Sequence, residues 1–236
     1  MALAPGNEIK RIEALRRYHI LDTESEAAFD DFAKLASFIC GTPMATVTLV
    51  DSDRQWFKAK LGINQAETPR DQSFCTHTIL SNEVMVIEDA SIDRRFFDSP
   101  LVTGDPNIRF YAGAPMISPD GHALGSLCAI DSEPGTLDPE RRAMLETLAR
   151  RVVEQMELRR VSHDLAEALE DLKTLRGLLP ICSHCKGIRN DSGYWERVED
   201  YLCTRGGTDL THGVCPLCAE EYYPGLLDRV EAKSLV

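Results

Sequence analysis

Nowhere in the 236 residues does an apolar run approach the ~18 to 20 residues that a bilayer-spanning helix needs. The opening stretch MALAPGNEIKRIEALRR also lacks the apolar core of a secretory signal. The expectation is a cytoplasmic chain with no membrane partner. Positive charge is scarce as well: 26 Lys and Arg stand against 38 Asp and Glu, a net of -12. Such a field repels phosphate backbones and anionic lipid, which disfavours nucleic acid as a partner. No internal repeat or low-complexity run stands out in the chain. No kinase, cyclase or phosphodiesterase motif is visible, and the chain is expected not to be an enzyme.

Cysteine, by contrast, is plentiful. Without export, eight cysteines point to thiols or metal ligands rather than a disulfide framework. Four of them fall in two Cys-x-x-Cys pairs near the end: Cys182 with Cys185 in LLPICSHCKGIR, and Cys215 with Cys218 in THGVCPLC. Each spacing lets one tight turn aim two sulfurs at one ion, and two such turns complete a tetrahedron, so one zinc per chain is expected. His212 is the alternative ligand, with His184 also close to the motif. Tyr194, Trp195, Val198, Tyr201 and Leu202 lie between the pairs and are expected to form a mini-core around the metal. Cys203 is read as a small buried residue. From Pro180 onward six basic residues face nine acidic ones, a surface suited to a protein partner.

The remaining chain divides by pattern. Glu8 to Ile20 and the stretch carrying Phe29, Phe32, Leu35, Ala36 and Ile39 have helical spacing. MATVTLVD and WFKAKLG read as a β-hairpin around the turn SDRQ. Ser73 stands as the N-cap of a short helix, SFCTHTIL. EVMVIEDA, IRFYAGAPM and GSLCAIDS read as further strands, the last two joined by a turn at Pro-Asp-Gly, and SIDRRFFDSPLVTGDPN is a long loop of the sort that belongs to sites. After PGTLDPE the chain is helical to about Leu179. In its second half Leu158, Val161, Leu165, Ala168, Leu172, Leu175 and Leu179 are spaced 3, 4, 3, 4, 3 and 4. That is the seam of a left-handed coiled coil, and it predicts a parallel homodimer.

An ordered series resembles the GAF domain, a small-molecule sensor module of bacterial signalling proteins: RIEALRRYHILDT, VTLVDSDRQWFKAKLG, ETPRDQSFCTHTIL, DRRFFDSPLVTGDPNIRFYAGAPM and GSLCAIDS. The resemblance implies an α+β fold: a GAF-like antiparallel sheet of about six strands, flanking helices on one face and a pocket under loops on the other. A long coiled-coil helix and a small zinc-ribbon-like C-terminal module complete the expected chain. The expected divisions are 1–157 for the sensor domain, 158–179 for the dimeric helix, 180–224 for the cysteine module and 225–236 for a tail.

The family takes varied ligands, so candidates come from the residues themselves. Trp56, Phe57, Phe74, Phe97, Phe110 and Tyr111, with Arg70, Asp71 and Ser126, suit an apolar pocket with a few polar groups. Cys75, His77 and Cys128 join them as sulfur and nitrogen donors. Cys75 and His77 are two apart on a helix and face different ways, which makes a shared ligand awkward. The Cys-His dipeptide of bilin-binding relatives is missing, so bilin is disfavoured.

The expected function is therefore a sensor that binds a small molecule and signals through the dimeric helix to a zinc-stabilised interaction module. The alternative is a thiol-based redox enzyme or redox sensor using Cys75 or one of the pairs. A zinc-dependent nucleic-acid regulator comes third.

Overall fold

The computed structural model describes residues 6–176, 180–190, 193–206, 211 and 213–224. Compact units divide between Ala168 and Leu169.

In the first unit, helix α1 (Glu8–Arg16) stops four residues before Ile20. Its last turn closes through Tyr18 and His19, and His19 then takes a positive φ of 46°. Tyr18 continues the buried face of Arg11, Ala14 and Leu15, and the reversal brings in Ile20, which a continued helix would turn to the opposite side. Helix α2 (Ala27–Cys40) buries Phe29, Ala33, Ala36 and Cys40 along one stripe. It ends at Gly41, whose left-handed φ of 70° lets its N–H reach Ser37 O.

Strands β1 (Met44–Val50), β2 (Arg54–Leu61), β3 (Glu67–Pro69), β4 (Met85–Ile87), β5 (Phe110–Ile117) and β6 (Ala123–Asp131) form one antiparallel sheet in the order β3-β2-β1-β6-β5-β4. This is the α+β arrangement expected, with β3 as a short edge strand that the sequence pattern does not announce. Between β3 and β4 lies helix α3 (Phe74–Thr78), capped by Ser73, whose Oγ accepts from Thr76 N at 3.1 Å. The long loop before β5 contains one helical turn, α4 (Pro100–Thr103).

Strand alternation separates two apolar layers. Ala45, Val47, Leu49, Trp56, Phe110, Ala112, Ala114, Leu127 and Ala129 face α1, α2 and the long helix α5 (Pro139–Arg176). Met44, Val50, Phe74, Cys75, Tyr111, Cys128 and Ile130 form the layer on the other face, beneath α3 and the loops. A register slip pairs Val47 with Ala59 but Thr48 with Phe57. Lys58 is the extra residue of that bulge, and its side chain is buried on the helix side.

Asp138 caps α5, accepting from Arg141 N at 2.8 Å, with Pro139 at the first helical position. Leu158, Val161 and Leu165 lie 52–64% exposed along α5, so this stretch of the expected seam does not pack back on its own domain. The side chains of Leu172 and Leu175, and all of Leu179, lie outside the described residues. None of the helices is long and apolar enough to cross a membrane, among the described residues.

In the second unit, a bridge between Ile181 and Ile188, the strands β7 (Ile188–Arg189) and β8 (Trp195–Glu196), and helices α6 (Val198–Gly206) and α7 (Pro216–Tyr222) are formed. The expected mini-core is corrected here. Tyr194, Trp195 and Leu202 are exposed, and among the described residues the buried apolar ones are Ile188 and Ala219. A two-stranded ribbon has two faces, and a unit this small covers only one. Cys203 is exposed as well, not buried.

Candidate functional site

β1 reads Met-Ala-Thr-Val-Thr-Leu-Val, and its alternation turns Thr46 and Thr48 to the face away from α2. The register sets Thr46 opposite Cys128 and Thr48 opposite Ser126. Thr46 and Thr48 hydroxyls are 2.8 Å apart, and Ser126 Oγ is 3.1 Å from Cys128 Sγ. A small polar floor therefore interrupts an otherwise apolar layer.

Tyr111 crosses this floor because of a glycine. Gly113 is the cross-strand partner of Cys128, and a Cβ at Gly113 would stand 2.3 Å from the Tyr111 hydroxyl. With no side chain there, the phenol lies across the strand and brings its oxygen to 3.2 Å from Cys128 Sγ and 2.8 Å from Thr78 Oγ1. From α3, Cys75 Sγ comes to 3.5 Å from Cys128 Sγ and 3.6 Å from the phenol oxygen. Phe74 stacks on Phe96 with centroids 4.1 Å apart, which fixes α3 against the loop.

Above the floor lies a cavity of about 30 Å³, walled by Thr46, Phe57, Phe74, Cys75, Ile108 and Tyr111, among others. That is room for one or two water-sized groups. Gln55 at its rim donates to Thr68 Oγ1 and accepts from Ser73 Oγ, both at 2.5 Å.

The two thiols differ. Burial pushes both up, but hydrogen bonds from Cys128, Ser126, Tyr111 and Thr48 bring Cys75 below the ordinary thiol range. Burial and the neighbouring Cys75 sulfur hold Cys128 well above it. Burial, with the sulfurs beside it, also raises the Tyr111 phenol. Cys40, on the helix side, has no such donors, and its burial raises it to about 11.

Of the residues singled out in the sequence, Phe57, Phe74, Cys75 and Tyr111 line the cavity, with Ser126 and Cys128 in the floor beneath. Trp56 and Phe110 face the helix layer instead, because alternation gives neighbouring residues opposite faces. Phe97 is exposed, and its neighbour Phe96 makes the aromatic stack. Asp71 is exposed on a 3-10 turn. Arg70 is buried but is spent on structure, donating to Glu8 Oε1 at 2.6 Å and Asp51 O at 2.9 Å. His77 meets the edge of Phe96 at 4.7 Å, and burial lowers its pKa. Residues absent from the sequence reading include Thr46, Gln55, Leu101, Pro106 and Ile108. The signal for Thr46 was present as a hydroxyl alternating with aliphatic residues in a strand.

In the second unit, the Cys182–Cys185 turn directs Cys185 N at Cys182 Sγ, 3.5 Å away. Cys215 is the N-cap residue of α7, and Cys218 sits in its first turn. Backbone N–H groups lower the pKa of Cys182 and of Cys215. Both pairs thus present sulfur donors, while no group of three or more His, Cys, Asp or Glu converges among the described residues. His212 lies outside them.

An antiparallel sheet with helices on one face and a small cavity under loops on the other places the domain among single-sheet α+β domains. The GAF domain model matches residues 24–156, and the chain belongs to the GAF domain family. It is 39% identical over 164 residues to the cyclic di-GMP phosphodiesterase PA2567 of Pseudomonas aeruginosa, a match covering 69% of this chain and 28% of the relative. The chain therefore spans little more than a quarter of the length of that relative. Among solved structures, the bacteriophytochrome RpBphP3 of R. palustris superposes with a TM-score of 0.52 at 14% identity, over 73% of this chain and 41% of that one. The GAF domain of an Acinetobacter phosphoenolpyruvate-protein phosphotransferase gives 0.49 at 16% identity, over 66% and 98%. The expectation that the chain is not an enzyme is corrected here: the curated relative is an enzyme by name. Missing motifs of the familiar kinds did not separate this sequence from enzymes.

Proposed function

We propose that this chain is a cytoplasmic signalling sensor working in cyclic di-GMP turnover. A small ligand enters the cavity above Tyr111, the change reaches α5, and α5 passes it on as a helix paired with a second copy. The observation that carries this reading is the bridge made by Glu26. Its Oε1 accepts from Lys58 Nζ at 2.7 Å and from Arg159 Nε at 2.8 Å. Lys58 directly follows Phe57, a wall of the cavity, and Arg159 lies on α5 just past the family match. A ligand that favours one position of β2 over another therefore biases the anchoring of α5.

Cyclic di-GMP enters through the 39% identical relative, as the molecule whose turnover is governed rather than as the ligand sensed. A dinucleotide needs several hundred cubic ångströms, roughly 300 or more, against a cavity of about 30 Å³. The walls are mostly apolar, which favours a small apolar ligand, and anything larger than one or two water-sized groups must displace the walls to enter. In the C-terminal unit, Cys182, Cys185, Cys215 and Cys218 would hold one zinc, with His212 as the substitute ligand. Zinc there would supply a structural cross-link. The unit would then present its surface to a protein partner.

The test is cellular. Expressing the chain in a bacterium that makes cyclic di-GMP should change the pool of the dinucleotide, and Glu26→Gln should remove the effect. A pool that stays constant with a well-expressed, folded chain overturns the reading.

A further inference from the structure

Cys75 and Cys128 are 53 residues apart in sequence, yet their sulfurs meet at 3.5 Å inside the sensor domain. Both are buried. A disulfide bond is about 2.05 Å long, so the sulfurs must approach by roughly a further 1.5 Å, within reach of side-chain rotation and a small shift of α3. Three hydroxyl-bearing residues surround them. Tyr111 is 3.2 Å from Cys128 and 3.6 Å from Cys75, Ser126 is 3.1 Å from Cys128, and Thr78 holds the phenol at 2.8 Å. Cys75 also forms part of the cavity wall, whereas Cys128 lies behind it. One thiol of the pair is thus reachable and the other is placed to resolve it.

We propose that Cys75 and Cys128 form a peroxide-reactive dithiol site, with Cys75 as the attacking sulfur and Cys128 as the resolving one. The oxidant is a small hydroperoxide, of which hydrogen peroxide is the smallest. Its two heavy atoms match a cavity of about 30 Å³. Cys75, as thiolate, attacks one peroxide oxygen and the O–O bond breaks. Hydroxide leaves, takes up the proton that Cys75 released, and departs as water. Cys75 is now a sulfenic acid. Cys128 attacks the Cys75 sulfur, the S–O bond breaks, and the second hydroxide takes the Cys128 proton and also leaves as water. Two thiols and one hydrogen peroxide give one disulfide and two waters: the sulfurs lose two electrons and the peroxide gains them. The lowered pKa of Cys75 fits the attacking role. Tyr111 is a positioning residue, held over both sulfurs by the space above Gly113.

This site goes beyond the sensor reading and does not depend on the identity of the metabolite. Closing the bond would tie α3 to β6 at the cavity floor, so the oxidised and reduced domains would offer a ligand different pockets.

The test uses the full chain, with Cys40 as an internal buried control. After exposure to hydrogen peroxide and blocking of the remaining thiols, peptides are mapped by mass spectrometry. The expected product joins the Cys75 peptide to the Cys128 peptide, lighter by two hydrogens, forms at least about tenfold faster than any oxidation of Cys40, and disappears with dithiothreitol. A Cys128→Ala chain that keeps its circular dichroism should stop at a Cys75 sulfenic acid that dimedone traps. Recovery of Cys75 and Cys128 as free thiols, while the Cys-x-x-Cys pairs oxidise, overturns the proposal. So does oxidation of Cys75 that never cross-links to Cys128. If Cys128→Ala does not fold, the mapping of the unsubstituted chain decides.

Discussion

Arg159 Nε and Glu26 Oε1 lie 2.8 Å apart, joining α5 to the segment just before α2, and the same oxygen accepts from the buried Lys58. Arg159 also donates to Tyr18 O and His19 O. The site where α5 leaves the domain is thus fixed by one carboxylate and two carbonyls. Removing the carboxylate leaves Lys58 with Thr23 Oγ1 and Glu24 O as neutral partners.

Glu26→Gln should therefore destabilise the first unit by about 2 kcal/mol. That is below the ~3 to 5 kcal/mol for breaking a fully buried pair, because the Glu26 carboxylate reaches water. Urea unfolding followed by tryptophan fluorescence checks it. A midpoint that does not move would show the bridge to be energetically idle.

Acid should act through the same group. Burial raises the Glu26 pKa, but hydrogen bonds and charge from Lys58 and Arg159 outweigh it, so the folded value lies below the ordinary 4.5. Glu8 is lowered likewise, against burial, by Arg11 and Arg70. A carboxylate with a depressed folded pKa contributes stability that is complete above its unfolded value and is lost as pH falls through the folded one. The contribution of these two carboxylates should be complete above about pH 5 and fall below it, with a shallower fall in Glu26→Gln than in the parent. Midpoints measured from pH 3 to 7 give the slope, and equal slopes for the two chains would exclude Glu26 as a contributor.

What the sequence disclosed and withheld follows from range. Strand alternation, the Ser73 cap and the paired cysteines are local patterns and were legible. The bulge at Lys58 was not, because the register slip depends on which residue of β1 faces Phe57. Trp56 and Phe110 were misplaced for the same reason: aromatic character marks burial but not the face. The contact between Cys75 and Cys128 needs α3 and β6 brought together across 53 residues, which spacing cannot reveal. Tyr111 was picked out as an aromatic, yet its reach over the sulfurs depends on Gly113 two residues away.

Gly125→Ala should be among the most damaging single changes in the domain. A Cβ there would stand 1.9 Å from Thr48 O and 2.8 Å from Leu49 Cα. Both are backbone atoms of the central strand and cannot swing aside. The loss should exceed about 3 kcal/mol, the upper end of ordinary overpacking, and appear as insoluble or unfolded protein. A thermal midpoint within a few degrees of the parent would mean that β1 and β6 separate more easily than the pairing implies.

Leu165→Asp tests the second copy. Leu158, Val161 and Leu165 follow coiled-coil spacing and are exposed within the described chain, so a partner helix is what would cover them. A charge in the seam should convert a dimer to monomers in light scattering while the domain unfolds at the same urea concentration. A dimer that survives places the interface on another surface.

Metal removal tests the cysteine unit. The two pairs supply four sulfur donors, and ligand thiols must shed their protons to bind, so affinity should fall as pH drops. Elemental analysis of the purified chain should give one zinc, and chelation should raise the thiols open to a disulfide reagent by four. Cys182→Ser or Cys215→Ser should lose the zinc, whereas His212→Ala should keep it if four sulfurs complete the shell and lose it if the imidazole replaces one. Because among the described residues of this small unit only Ile188 and Ala219 are buried apolar groups, loss of the metal should unfold it while residues 24–156 stay folded. A chain that binds no zinc yet keeps α6 and α7 helical would show that the second unit stands without a metal.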